Sequence, residues 1–305
     1  MLQRYTGAHG VVAGRYLAAR GDGQRLIPAA SVTQAALETR LLFACGRFDY
    51  GRRDESFSKR EGAGGPLPPL GLNYVLGERD ALQVSVHPRL LPQFIDQVLP
   101  RIEADGSEVT GIPGLRAHVR DRFVSLRRLG EAGRIVVRVS GKRWERATKY
   151  ALSGIDSRNV AWLAKPDSWH SAEIEFSARY GHHCDYGRDG NAFLSDVLRR
   201  VNVLSGDGTS ASYWDLWSSR RGCVELEWRG GPFHRRVLDL LLDPQFGLDA
   251  ELQEPARVCR CDDSDPTRYN ECYSMELIGA GGVDLNLRRQ RPYGLDVQAV
   301  MARYG

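Results

Sequence analysis

Lysine is nearly absent from this chain: Lys59, Lys142, Lys149 and Lys165 are the only four, although Lys and Arg together number 42 among 305 residues. Its cationic chemistry is therefore that of arginine, a planar fork suited to bidentate contact with phosphate and carboxylate. Cysteine is sparse too. Cys45, Cys184, Cys223, Cys259, Cys261 and Cys272 are too few for a disulfide scaffold in a chain this long, and they read as buried thiols in a reducing compartment. No apolar stretch approaches the roughly 18 residues that a spanning helix requires, so a membrane protein of that type is excluded. At the N-terminus, Gly and Arg interrupt MLQRYTGAHGVVAGRYLAARGDG, so no secretion-signal core forms and the expectation is a cytoplasmic protein.

What is present is ordinary globular material. Hydrophobic residues make up 42% and charged residues 26%, enough apolar surface to build a core and too little net charge, +4, to favour disorder. The length exceeds a typical domain of roughly 100 to 150 residues and leaves room for two packed subdomains.

Periodicity predicts a helix over 31–45, opened by a Ser31/Gln34 capping box, followed by a charged and then Gly/Pro-rich loop over 47–71. A strand over 81–86 and a helix over 90–102 come next, then a second helix over 115–129 and a strand over 134–139. Further strands are expected at 159–163, 173–178, 223–228, 274–278 and 283–287, with helices at 191–201 and 234–242. The class is α+β, a mostly antiparallel sheet with helices packed on one face. Expected units are an N-terminal helical segment and loop (1–70), a basic α/β subdomain (71–155) and a C-terminal α+β subdomain (156–305). No repeat of fixed period emerges.

Between Arg116 and Lys149 the chain carries eleven basic residues against Asp121, Glu131 and Glu145. A contiguous cationic surface attracts phosphates through charge and counterion release, which nominates Arg116, Arg120, Arg127, Arg128, Arg134, Arg138, Lys142 and Arg143 as nucleic-acid contacts. Solvated arginines answering acidic surfaces elsewhere are the plainer alternative.

Near the C-terminal third, VELEWRGGPFHRRVL puts Glu225 and Glu227 on one face of a strand, with Asp215 upstream. Carboxylates so placed suit a hard divalent cation, Mg2+ or Mn2+, which could activate water in phosphodiester chemistry. This stretch resembles the catalytic strand of type II restriction endonucleases of the PD-(D/E)xK class, a likeness that implies Asp215, Glu225 and Glu227 as catalytic metal ligands. Residues 206–246 also resemble the C-terminal part of rolling-circle replication initiation factors of plasmids and filamentous phages. There a nucleophilic tyrosine sits on an earlier strand; here Asn202 falls at that place and cannot attack phosphate, and Tyr213 lies close to the acidic strand. The competing account of Glu225 and Glu227 is an edge strand with its acids in water.

His182-His183-Cys184-Asp185 contains His-x-Asp, two ligands of a facial iron triad, and His234 lies downstream; ARYGHHCDYG resembles iron/2-oxoglutarate oxygenases. Cys259, Cys261 and Cys272 lack the knuckle spacing of structural zinc and read as thiols. The leading expectation is a nucleic-acid-binding protein, with metal-dependent DNA processing as the activity the acidic strand would add. The alternatives are a non-catalytic structural or protein-binding subunit of a nucleoprotein or mobile-element assembly, and the oxygenase.

Overall fold

The computed structural model describes residues 2–18, 26–46, 68–103, 108–181, 185–205, 211–220, 222–230, 232, 234–260 and 271–290. Two short helices, α1 (Leu2–Thr6) and α2 (Gly10–Ala18), precede α3 (Val32–Gly46). Strands β1 (Leu72–Gly77) and β2 (Ala81–Val86) form a hairpin, followed by α4 (Leu91–Val98) and a small ribbon of β3 (Arg101–Ile102) with β4 (Val109–Thr110). A meander of β5 (Leu115–Val119), β6 (Val124–Arg128) and β7 (Arg134–Val137) completes the first sheet, in the order β1-β2-β7-β6-β5. Helices α5 (Gly141–Ala151), α6 (Ala161–Ala164), α7 (Ser171–Tyr180) and α8 (Gly187–Arg199) lead to the second sheet. That sheet comprises β8 (Ala211–Arg220), β9 (Cys223–Gly230), β10 (Ala250–Arg260), β11 (Glu271–Gly279) and β12 (Asp284–Gln290), with α9 (His234–Leu241) between β9 and β10.

The α+β class, with two mostly antiparallel five-stranded sheets and packed helices, agrees with the sequence reading. The shared core explains it. On the first sheet Leu82, Val84, Leu126, Ile135 and Val137 are buried with Phe94 and Ile95 of α4 and Trp144 of α5, whereas Arg127 and Arg134 on the opposite face are exposed. Alternation of one face in and one face out follows from the two-residue period of a strand.

The sequence shows no fixed-period repeat, yet the topology repeats. Helix, hairpin, helix and three-strand meander run from α3 to β7 and again from α8 to β12. In both sheets the last meander strand pairs in parallel with the second hairpin strand: β7 with β2, and β12 with β9. The halves meet reciprocally. Helix α3 packs along α8 and reaches β8, while α8 reaches β1; the 3-10 turns Pro69–Gly71 and Val201–Leu204 touch one another and the other half's first strand. Such exchange of equivalent contacts is the mark of an isologous, two-fold interface, here within one chain.

Several local expectations are corrected. Residues 115–129 form a hairpin because Leu115, Ala117, Val124 and Leu126 face the core at strand spacing, and Asp121-Arg122 make the turn. The segment 173–178 belongs to α7, opened by a capping box in which His170 Nδ1 accepts from Ala172 N and Glu173 accepts from His170 N. Residues 159–163 are the end of a 3-10 turn and the start of α6. At α3, Gln34 does not close a box with Ser31: its side chain donates to Glu38 and exchanges hydrogen bonds with the Arg134 backbone. Helix α4 stops at Val98, short of residue 102. The loop expected over 47–71 lies almost wholly outside the described residues.

Candidate nucleic-acid interface

The eight nominated basic residues divide by the hairpin's geometry. Arg116 is 2% exposed and forms a bidentate pair with the fully buried Glu173, Nη2–Oε2 2.8 Å and Nη1–Oε1 3.0 Å. Its remaining donors reach the carbonyls of Lys165, Ser168 and Leu115. Arg116 is therefore structural and unavailable to phosphate, a correction to its assignment as a contact. Burial alone would raise the Glu173 carboxyl, but hydrogen bonds from Arg116, His170 N and Gly114 N hold it below its ordinary range. Arg128 donates to Glu131 and to Pro113 O, and its guanidinium lies 4.9 Å from the Trp169 ring centroid, so it too serves the fold.

Arg120, Arg127, Arg134, Arg138, Lys142 and Arg143 are exposed, and none forms an ion pair with another described residue. Arg127 and Arg134 stand directly opposite one another on β6 and β7, exposed on the same face of the sheet on which Arg116 of β5 is covered by Glu173 of α7. Like charges so placed repel, and an external anion would relieve them. Arg138 continues beyond β7, its N–H donating to Val84 O. The β5–β6 turn carrying Arg120 is tied to the start of α5, where Gly141 N donates to Asp121 O at 3.1 Å. Arg120, Arg138, Lys142 and Arg143 thus gather around one helix N-terminus.

Beside them opens a cleft of about 240 Å3, lined by Asn73, Ser85, Pro88, Leu91, Arg138 and Arg143, with Val86, Val139 and Ser140. It lies at the C-terminal ends of the parallel strands β2 and β7, at the starts of α4 and α5. Near it, burial and the charges of Arg89 and Arg143 hold the His87 imidazole below its ordinary pKa.

In the second sheet, β9 is an interior strand between β8 and β12, so the edge-strand account of its acids does not hold. Glu225 and Glu227 share one face and are buried, 8% and 5% exposed, while Val224, Leu226 and Trp228 enter the core from the other. Among the described residues Glu225 Oε2 has no hydrogen-bond partner, and Oε1 lies 3.9 Å from the Cys223 thiol. Glu227 Oε2 faces Arg288 Nε at 3.7 Å. Asp215 is placed directly opposite Glu227 across the β8–β9 ladder. Among the described residues no three His, Cys, Asp or Glu side chains gather as a metal cluster; the Asp215 side chain is not among those described.

Of the remaining candidates, His182, Cys184 and Cys261 lie outside the described residues. Asp185 accepts from Gly187 N and Asn191 Nδ2 at the start of α8, a local turn role. Cys259 and Cys272 are cross-strand partners on β10 and β11. Asn202 sits in a 3-10 turn, donating to Gln3 O and Arg4 O of α1.

Sequence reasoning missed the network around Glu38 on α3. Ser195 Oγ, Arg199 Nε and Arg199 Nη2 of α8 donate to its carboxylate at 2.6, 2.7 and 2.6 Å, and Arg199 also donates to Glu78 O and Pro28 O. The signal was legible: Gln34 and Glu38 fall on the same helical stripe as Leu41, Leu42 and Cys45. No family model, curated protein or solved structure matches this chain.

Proposed function

We propose that this chain binds nucleic acid through the outer face of its first sheet and the adjoining start of α5. The observation that carries the reading is the exposed Arg127/Arg134 cross-strand pair, continued by Arg138, Lys142 and Arg143. Arginines held on a rigid sheet lose little freedom on gripping a phosphate backbone, and each contact releases counterions. The test is an anisotropy titration of DNA and RNA strands across a salt series. Binding whose logarithm falls linearly with the logarithm of salt supports the reading; no binding to any strand at low salt overturns it and favours acidic protein surfaces as the partner.

A second reading adds metal-dependent DNA processing, favoured by the buried Glu225 oxygen that has no hydrogen-bond partner among the described residues. Asp215, Glu225 and Glu227 would hold Mg2+ or Mn2+, and the ion would supply an activated water and a Lewis acid for phosphodiester cleavage. This is the arrangement its likeness to PD-(D/E)xK enzymes implies. Cleavage of duplex or single strands with manganese, lost in Glu227→Gln with strand affinity retained, is the expected result; a wild-type protein that never cleaves removes this reading.

A further inference from the structure

We infer that the cleft at the ends of β2 and β7 is a phosphate-monoester pocket, with Arg138 and Arg143 as the anion's partners. It deepens the nucleic-acid reading and rests on it for the ligand's class: the terminal phosphate of a strand, or the same group on a free mononucleotide.

The duplicated topology supplies the first argument. The parallel ladders begin at Ala81↔Arg134 in one half and Cys223↔Asp284 in the other. Counting from those pairs, Ser85 corresponds to Glu227 and Arg138 to Arg288. Antiparallel partners agree, since Val75↔Val84 matches Leu216↔Leu226. In the second half the arginine at this place faces a carboxylate of the same chain, Glu227 at 3.7 Å from Arg288. In the first half the carboxylate is replaced by a serine, Arg138 pairs with no described acid, and a cleft opens at that place. What the second half provides internally, the first half lacks.

Electrostatics points the same way. The charged residues lining the cleft are both arginines, and no acid lines it. Helix α5 has no acidic residue in its first turn and no side-chain cap at Ser140, and places Lys142 and Arg143 there instead. Cations at a helix N-terminus oppose its dipole, whereas an anion beside them satisfies both. The Gly141 and Arg143 amides donate to Asp121 O and Ser140 O, and that of Lys142 takes no backbone acceptor among the described residues. Helix α4 also starts at the cleft, without a side-chain cap at Leu90. The volume exceeds that of phosphate alone, and Val86, Pro88, Leu91 and Val139 offer an apolar wall to a pentose.

Binding is measured with the full chain, using one oligonucleotide bearing either a 5′-phosphate or a 5′-hydroxyl, and a free nucleoside monophosphate as competitor. A roughly tenfold preference for the phosphorylated strand is expected, the worth of one charge-assisted contact. Ser85→Glu, which installs the carboxylate found in the second half, should bring the ratio to about one. Arg143→Ala, at an exposed position, should do the same and serves if the first variant does not fold. Competition by the mononucleotide identifies a free nucleotide as the source; preference without competition identifies the strand end; both uphold the pocket. Equal binding of both strands with no mononucleotide binding overturns the pocket and leaves the backbone reading standing. Mononucleotide binding without strand binding upholds the pocket and overturns the backbone reading, and absence of all binding overturns both.

Discussion

Arg199 on α8 and Glu38 on α3 meet with no solvent exposure, two guanidinium nitrogens 2.6 and 2.7 Å from the two carboxylate oxygens, and so join the two halves of the fold. Gly77 leaves room for the pair: a Cβ there would come within 2.6 Å of the Arg199 Cζ. Burial alone would lower the Arg199 pKa, but the bonds to Glu38 raise it above the ordinary value. Removing one partner strands the other charge in the core. Glu38→Ala should therefore destabilise by about 3 to 5 kcal/mol, while Glu38→Leu with Arg199→Met should cost clearly less than the sum of the single changes. Chemical denaturation of the three variants checks this.

Glu173 makes the fold acid-sensitive. Its carboxyl is held below the ordinary range in the folded state, so the folded protein binds that proton less readily than the unfolded chain. The stability it contributes is present above the unfolded carboxyl's pKa and is lost as pH falls through the lower folded value. Glu173→Gln should flatten the acid limb of a stability–pH curve and lower stability at neutral pH, because a buried Arg116 would face an uncharged amide.

Arginines of one sequence run should separate into two kinds. Arg127→Ala with Arg134→Ala should lower the salt slope of nucleic-acid binding by about two units, one for each phosphate contact, with the melting temperature nearly unchanged. Arg116→Ala should destabilise by about 3 kcal/mol or more by stranding buried Glu173, and at temperatures where it stays folded the slope should match wild type.

Glu225 is a buried acid with one oxygen unpartnered among the described residues. In chelator, Glu225→Gln should be more stable than wild type by roughly 1 kcal/mol, since an amide costs less to bury than a carboxyl group with an oxygen left without a hydrogen bond. Added manganese should stabilise the wild type and leave the variant unmoved. Denaturation midpoints with chelator and with manganese are the measurement, and a wild type indifferent to the ion would detach the acidic strand from metal chemistry.

Much of this was legible in the sequence. Strand spacing located β2 and β9, and alternation along β9 put Glu225 and Glu227 on one face of it. Helices α3, α8 and α9 announced themselves through apolar periodicity, and arginine dominance with its concentration between Arg116 and Lys149 needed no coordinates. These are local properties, set by the repeat of one strand or one helical turn. Tertiary structure decided the rest. Leu115 to Leu129 carries apolar residues compatible with either period, and only pairing with β7 and the shared core made it a hairpin. Whether an arginine faces water or a carboxylate depends on a partner tens of residues away, as Arg116 on Glu173 and Arg199 on Glu38 show. The duplication is likewise invisible in the sequence, because pairing order and direction are shared by the two halves while the residues filling them, Ser85 against Glu227, are not.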